Sequence, residues 1–289
     1  MQYDISRTSR LGNREANQDR VTALERDSAV LLVLGDGLGG KAGGEIASQA
    51  LVDTAAAQFE QADLPIAQPA AFLKDVMFRA HRAIIEAGKA AEPPVEPATT
   101  AVLCLVQNGR ALWAHTGDSR FYLFRNGLSL YRTEDHSYVE ELYQKGQISL
   151  DKRQGHPMRG YLTQCLGQTT KVPGIQISQE VALREGDTLL LCSDGLWEPL
   201  DDAQIGAVLF EPPLRESLNA LAERAEQISY PSSDNISAVV LRVTSVQAKS
   251  ATTRKIADKP TQHSPSDRLQ DAIEEIEQVI EQYRDEMDN

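Results

Sequence analysis

The hydrophobic residues fall into short runs that predict both strands and helices. Residues 29–34 form a continuous apolar run, which is typical of a strand buried on both faces. Two stretches, Glu45–Glu60 and Pro69–Gly88, carry helix-forming residues with apolar positions three and four apart, as in helices that bury one face. Residues 236–243 read as a last strand.

Two Asn-Gly pairs interrupt the apolar runs and predict β-hairpins. They are Asn108-Gly109 and, with Arg125 before it, Asn126-Gly127. Asn-Gly favours two-residue hairpin turns because both residues tolerate a left-handed backbone. The turns separate these predicted strands: 98–106 from 111–114, and 121–124 from 128–131. Hairpins combined with paired helices predict an α+β fold in which helices cover antiparallel sheets.

The composition of the chain changes after Val243. Residues 1–243 read as one compact domain, and residues 244–265 are polar and predict a linker. Residues 266–289 are acidic and predict an amphipathic helix whose apolar positions follow a heptad spacing: Leu269, Ile273, Ile276, Ile280, Tyr283 and Met287. We expect this helix to bind a partner, a basic one by preference, or to self-associate. The alternatives are packing on its own domain and a frayed tail.

Charge and cysteine content narrow the class of protein. A formal net charge of −13 argues against nucleic-acid binding, which requires clustered basic residues. The cysteines Cys104, Cys165 and Cys192 are odd in number and widely spaced, so they predict neither a disulfide framework nor a zinc site. No signal core and no run of membrane-spanning length is found. We therefore expect a cytoplasmic protein without membrane contact.

Aspartates beside turn residues form the chemically informative pattern. A single such motif predicts no more than a turn. Converging carboxylates, however, bind hard divalent cations, and two cations about 3.5–4 Å apart can activate a water for attack on phosphorus. The motifs are Asn17-Gln18-Asp19, Gly35-Asp36-Gly37-Leu38-Gly39-Gly40, Gly117-Asp118-Ser119-Arg120, Ser193-Asp194-Gly195 and Ser233-Asp234-Asn235.

In this order, and with Arg14 before the first of them, the motifs resemble the protein phosphatase 2C family in its compact bacterial form. The resemblance covers residues 5–243, nearly the whole chain before the linker. It implies a four-layer α-β-β-α sandwich of two antiparallel sheets flanked by helix pairs, with a flap at about 134–167. It also implies a metal-dependent hydrolase that removes phosphate from phosphoserine and phosphothreonine in proteins, by attack of a metal-bridging water. Such an enzyme would oppose a bacterial Ser/Thr kinase.

The metal ligands that the resemblance implies are oxygen donors, which favour Mn²⁺ or Mg²⁺. Asp36 would bridge two catalytic ions, and the carbonyl of Gly37 would complete the first site. Asp194 and Asp234 would bind the second ion. Asp118, together with Asp194, resembles the third metal site of bacterial members.

The remaining roles concern substrate and water. Arg14 would bind the substrate phosphate, because its planar charged group suits phosphate. Asp19 would hydrogen-bond metal-bound water in the outer shell, beside Gln18, where the family often has Glu. Leu38 occupies a position where some members carry a histidine as leaving-group acid, so another group would have to supply that proton.

Two other motifs are rejected as functional. Gly35-x-Gly37-x-x-Gly40 fits a dinucleotide fingerprint, but Asp36 inside the loop would repel a pyrophosphate. Cys104 and Arg110 have the spacing of a cysteine phosphatase, but the residues between them read as a hairpin. Two alternative functions remain open, a catalytically silent binding module and a metal-dependent phosphodiesterase.

Overall fold

The computed structural model of the protein describes residues 1–38, 40–170 and 172–246, and for residues 40–42 and 154 it describes the backbone alone. The last described strand runs to Ser245, beyond its predicted end at Val243, because it pairs with the N-terminal strand as far as Gln2. The linker from residue 247 onward and the predicted helix 266–289 lie outside the described residues.

Two antiparallel sheets form the centre of the described chain. The strands of the first sheet are β1 (Gln2–Arg10), β8 (Arg120–Arg125), β9 (Leu128–Arg132), β12 (Thr188–Cys192) and β13 (Ile236–Ser245). Those of the second sheet are β2 (Arg20–Arg26), β3 (Ala29–Gly35), β6 (Ala101–Gln107), β7 (Arg110–Thr116), β10 (Gln176–Ile177) and β11 (Val181–Ala182). A separate short pair consists of β4 (Gly37–Leu38) and β5 (Ala98–Thr99). The order is β1-β13-β12-β8-β9 in the first sheet and β10-β7-β6-β3-β2 in the second, where β11 also pairs with β7.

The helices include both predicted long ones. The described helices are α1 (Gly40–Gln61), α2 (Pro69–Ala90), α3 (Tyr138–Gln144), α4 (Asp151–Gln154), α5 (Asp194–Trp197), α6 (Asp202–Phe210) and α7 (Leu214–Ser229). A capping box formed by Asp201 and Gln204 begins α6, because the two side chains satisfy backbone N–H groups that lack helical partners. Within the described residues, no helix combines the length and apolar character needed to cross a membrane.

Strand β3 is apolar at every position because its side chains point alternately to two faces and both faces are buried. Leu31 packs in a cluster with side chains of α1 and α2, whereas Leu32 packs in a second cluster with side chains of the first sheet. A third cluster joins the other face of the first sheet, including Leu190, to α5, α6 and α7. Each fully buried leucine contributes about 2 kcal/mol. The expected fold of two antiparallel sheets with helices is confirmed.

Both predicted hairpins are present, and their turns have the expected backbone. Asn108 and Gly109 have φ of 51° and 71°, and Asn126 and Gly127 have φ of 53° and 74°. These left-handed values match the twist of the flanking strands.

The predicted strand 98–106 is wrong in one respect, because it divides at Thr100. Residues before Thr100 pair with β4, and residues after it pair in the second sheet. The strand divides because Thr100 hydrogen-bonds to the backbone of Asp36 and does not pair with a strand of the second sheet. Its N–H donates to the Asp36 carbonyl at 2.9 Å, and its hydroxyl accepts from the Asp36 N–H at 3.0 Å.

Candidate active site

Three predicted site aspartates lie at one end of the first sheet because of its strand register. Asp118 precedes β8, Asp194 follows β12 and Asp234 precedes β13. Cys192, the last residue of β12, pairs with Arg120 on β8 and with a residue near the start of β13. Because these strands are antiparallel, the end of β12 meets the beginnings of its two neighbours.

The other two aspartates lie at the end of a hairpin in the second sheet. Asp19 precedes β2 and Asp36 follows β3, and the register pairs Arg20 with Gly35. A hydrogen bond from the Ser193 hydroxyl to Oδ2 of Asp19, 2.8 Å long, joins this hairpin to the first sheet. The structure therefore brings the aspartates of all five sequence motifs together.

The carboxylate of Asp36 is affected by the charges of all four other motif aspartates. Burial raises its pKa most, and the charges of Asp19, Asp194, Asp118 and Asp234 raise it further, to well above the usual value. The pKa of Asp194 is also raised well above its usual value, by burial first and then by the charges of Asp118 and Asp234. Carboxylates that raise each other's pKa in this way lack a compensating positive charge.

Asp19 and Asp118 show the same effect to a smaller extent. Burial raises the pKa of Asp19 to about 6, although hydrogen bonds from Ser193 and Ser237 oppose the shift. Burial also raises the pKa of Asp118 to about 7, with a further contribution from the charge of Asp135. Near neutral pH these two groups are poised between protonation states.

The donor set fits a hard divalent cation. Oδ1 of Asp19 and Oδ1 of Asp194 are buried and have no hydrogen-bond partner among the described residues, which is costly for a carboxylate. In the described part of the chain, no three Asp, Glu, His or Cys side chains already form a group that could hold a metal ion. The described aspartates therefore lie near each other, but no three of them converge on a single point. Their carboxylate oxygens are of the type that Mg²⁺ and Mn²⁺ prefer.

Gly37 lies in a space that excludes any side chain. A Cβ atom there would be 2.3 Å from the carbonyl oxygen of Gly44 in α1 and 2.7 Å from the carbonyl oxygen of Gln18. This close approach fixes the backbone beside Asp36 between α1 and the 17–19 turn. Gln18 itself is anchored through its backbone, whose N–H donates to Asn235 at 2.8 Å and whose carbonyl accepts from the hydroxyl of Ser48 at 2.5 Å.

Arg14 lies at the rim of the cluster. Its guanidinium is 2.5 Å from Oδ2 of Asp234, and the two side chains are 57% and 37% exposed. The neighbouring Asn235 holds the loop that carries Arg14, because its side chain donates to the carbonyls of Leu11 and Ala16. Arg14 is thus fixed near the acids but remains open to solvent.

The positioning roles of Ser193, Thr100 and Asn235 were not found by sequence analysis. Ser193 and Asn235 belong to the quoted motifs, yet nothing local indicates that Ser193 binds Asp19 or that Asn235 binds the 11–18 loop. Thr100 holds the backbone of Asp36 and shares a hydrogen bond of 2.7 Å with Ser119. Each of these contacts joins residues far apart in sequence, so no spacing pattern predicts them.

The histidines and cysteines near the site have structural contacts. His136 stacks on His115 with ring centroids 4.7 Å apart, and its Nδ1 accepts from the N–H of Gly117. His156 accepts from the N–H of Met158 within a turn. The three cysteines are buried free thiols, and burial raises the pKa of the Cys104 thiol. A buried thiol with a raised pKa is a poor nucleophile.

Comparison with known proteins points to the same family as the aspartate motifs. The family model described as Protein phosphatase 2C matches residues 7–231. The serine/threonine protein phosphatase PstP of Mycobacterium tuberculosis is 36% identical over 80% of this chain, which spans 43% of that longer protein. The structure of the S. agalactiae serine/threonine phosphatase has 28% identity and a TM-score of 0.77, and the match covers 84% of this chain and 100% of that one. The PstP catalytic domain in complex with two manganese ions has 32% identity and a TM-score of 0.72, with 84% and 99% covered.

Proposed function

Because the chain belongs to the protein phosphatase 2C family, we propose that it is a metal-dependent serine/threonine protein phosphatase. It hydrolyses phosphoserine and phosphothreonine in protein substrates. The observation that supports this most is the gathering of five motif aspartates beside Arg14, with two buried carboxylate oxygens that lack partners among the described residues. Such a site holds cations and then an anionic phosphate.

The proposed cofactor is Mn²⁺ or Mg²⁺, as two catalytic ions and a third at Asp118. When bound, these ions supply an activated water and neutralise charge on the phosphoryl group. Asp36 would be shared by both ions, the Gly37 carbonyl would hold the first, and Asp194 and Asp234 would hold the second. Asp118 would hold the third together with Asp194. The related PstP catalytic domain, solved in complex with two manganese ions, supports the choice of metal and the number of catalytic ions.

Arg14 binds and orients the substrate phosphate. Its guanidinium already pairs with the carboxylate of Asp234, and phosphate oxygens suit the same planar donor group. At 57% exposure the side chain can be reached by a protein substrate. Arg14 then stabilises negative charge on the transferring group, which is the largest contribution expected from such a residue.

Asp19 orients the attacking water through a hydrogen bond. The hydroxyl of Ser193 holds one carboxylate oxygen of Asp19 and leaves the other available. Gln18 lies in the same turn as a polar neighbour. Leu38 has no proton to donate, so the proton for the leaving serine or threonine oxygen comes from another group.

The wider setting of the enzyme is also proposed. The free buried cysteines fit a reducing cytoplasm. The substrates are phosphorylated proteins, and a bacterial Ser/Thr kinase supplies them. The helix predicted over 266–289 binds a partner or a second copy, and the net charge of −13 leaves no role for nucleic acid. No membrane contact is required.

The test is hydrolysis of a phosphothreonine peptide by the purified full chain in EDTA, Mg²⁺ or Mn²⁺. Asp36→Asn and Asp194→Asn remove the bridging charge and one metal ligand, and Asp53→Asn on the exposed face of α1 is the matched control. We expect metal-dependent activity that falls at least about 100-fold in the two site variants and stays within about twofold in the control.

A folded protein that is inactive with every metal would reject the phosphatase and favour the silent binding module. Activity on phosphodiesters in place of the peptide would favour the phosphodiesterase. Activity that survives EDTA and both substitutions would show that the aspartates are not the centre of the reaction.

A further inference from the structure

We propose that Arg120 is a positioning residue that fastens the segment 134–167 to the loop of Asp118, and so links the order of that segment to the geometry of the acid cluster. The inference builds on the proposed function. Its first test, however, measures the segment directly, so it can fail or succeed whether or not the phosphatase activity is found.

Arg120 holds the beginning of the segment through a buried bidentate pair. Its Nε and one terminal nitrogen each donate to a different oxygen of Asp135, both at 2.8 Å. The two side chains are only 7% and 5% exposed. Arg153, from α4 in the same segment, approaches Asp135 at 3.6 Å. A buried bidentate pair between a guanidinium and a carboxylate fixes both the distance and the orientation of the two groups.

The flat face of the same guanidinium packs against Trp197, which lies beside the acid cluster. It lies 3.4 Å from the ring centre of Trp197, an arrangement that favours a cation. The indole N–H of Trp197 donates to the backbone carbonyl of Asp118 at 3.0 Å. Trp197 is also the last residue of α5, which begins at Asp194. Arg120 therefore contacts both the segment and Trp197, which donates to the carbonyl of Asp118 and lies in the same short helix as Asp194.

The segment also contacts the Asp118 loop through His136, whose backbone N–H donates to the Gly117 carbonyl at 2.9 Å and whose Nδ1 accepts from the Gly117 N–H at 3.3 Å. Among the described residues, however, Arg120 and one exposed pair supply the ionic connections. A cavity of about 700 Å³ separates Val139 and Leu150 of the segment from residues 199–204, and Arg120 forms part of its wall. Arg159 and Glu198 pair across the site at 3.2 Å, but their side chains are 55% and 39% exposed. Exposed pairs of this kind contribute little, so the buried pair of Arg120 and Asp135 is the stronger connection.

The same strand provides a matched control. At the opposite end of β8, Arg125 donates to both oxygens of buried Asp187 at 2.7 Å. Arg120→Lys and Arg125→Lys each keep the charge and remove a bidentate pair, since lysine is a point donor. They differ in position: only the first lies beside Asp135 and Trp197.

The experiment compares hydrogen exchange of the amides in 134–167, urea stability and steady-state kinetics of the full chain. We expect both variants to lose similar stability. Arg120→Lys should raise exchange within the segment at least about tenfold and lower kcat/KM by about tenfold, whereas Arg125→Lys should leave both within about twofold. Equal effects of the two variants, or unchanged exchange in Arg120→Lys, would overturn the proposal. If Arg120→Lys fails to fold, Asp135→Asn tests the same pair from the other side with the same criteria.

Trp197→Phe tests the connection to Asp118. Phenylalanine keeps an aromatic ring under Arg120 and loses the N–H that holds the Asp118 carbonyl, along with the second ring of the indole. We expect exchange in 134–167 to stay within about twofold of the wild type, while calorimetric Mn²⁺ affinity falls about threefold or more. Unchanged Mn²⁺ affinity would remove the acid cluster from the proposal. A wild type without phosphatase activity would reject the proposed function, and the exchange data would still decide the role of Arg120.

Discussion

Ser193 joins the two sheets at the acid cluster, because its hydroxyl donates to Asp19 at 2.8 Å and accepts from the backbone N–H of Ser237 at 3.0 Å. Asp19 directly precedes β2 of the second sheet, whereas Ser193 directly follows β12 and Ser237 lies in β13 of the first sheet. Both serines are fully buried. This buried hydroxyl therefore joins the two groups of aspartates, together with the hydrogen bond from the Gln18 N–H to Asn235.

Removing this hydroxyl should weaken the protein measurably. Ser193→Ala leaves the Asp19 oxygen and the Ser237 N–H without their partner, so we expect a loss of about 1–3 kcal/mol in the free energy of unfolding by urea. Ser232→Ala, at an exposed turn, is the control and should stay within about 0.5 kcal/mol. A stable Ser193→Ala protein would mean that another group satisfies both atoms.

The metal-free protein should become less stable as the pH rises. The pKa values of Asp19 and Asp118 are raised by burial to about 6 and about 7, so the folded state binds more protons than the unfolded chain. Their contribution to stability is complete below about pH 4 and is lost as the pH rises through 6 to 7. Urea unfolding in EDTA at pH 5 and pH 8 measures this.

Asp118→Asn should reduce that pH dependence, because it removes one of the buried carboxylates whose pKa is raised. Mn²⁺ should stabilise the wild type at pH 8 by binding the folded state alone. An identical pH dependence in the wild type and Asp118→Asn would show that Asp118 titrates normally.

Titration of His115 should have the opposite effect on stability, making the folded protein less stable as the pH falls. Burial, together with the charge of nearby His136, lowers the pKa of His115 to about 4. The unfolded chain therefore binds the proton first, and stability is lost as the pH falls from about 6.5 to 4, by up to about 3 kcal/mol. His115→Gln can keep the donor to the Glu134 carbonyl, which His115 contacts at 2.9 Å.

We expect the wild type to lose stability relative to His115→Gln as the pH falls from 7 to 5, because only the wild type has to exclude a proton from this buried ring. The wild-type-minus-variant difference isolates this group from the carboxylates. A difference that is constant with pH would contradict the lowered pKa.

Adding a methyl group at Gly37 should damage both stability and metal binding. The new Cβ would lie 2.3 Å from the Gly44 carbonyl oxygen, so α1 or the Asp36 backbone must shift. We expect Gly37→Ala to lose about 1–3 kcal/mol and to bind Mn²⁺ at least about tenfold more weakly in calorimetry.

Gly155→Ala is the matched control, because its φ is −89° and no described atom lies within 4 Å of the added methyl group. Its stability and Mn²⁺ affinity should both resemble the wild type. Equal behaviour of the two alanine variants would mean that the loop after Asp36 tolerates displacement.

The sequence by itself determined the local elements. The continuous apolar run of β3 requires burial on both faces, and Asn108-Gly109 requires a hairpin because both residues accept positive φ. It also predicted which residues carry the chemistry, since the order of the aspartate motifs identifies the family. These properties depend on neighbouring residues or on the identity of single residues, so they can be read without a fold.

Only the tertiary structure decided which of these residues meet. The register that pairs Cys192 with Arg120 gathers Asp118 beside Asp194, and the division of a strand at Thr100 holds the backbone of Asp36. The contacts of Ser193 with Asp19 and of Arg120 with Asp135 join residues 174 and 15 positions apart. Such contacts arise from strand pairing and sheet packing, which bring distant residues together at no fixed spacing, and for that physical reason no local pattern encodes them.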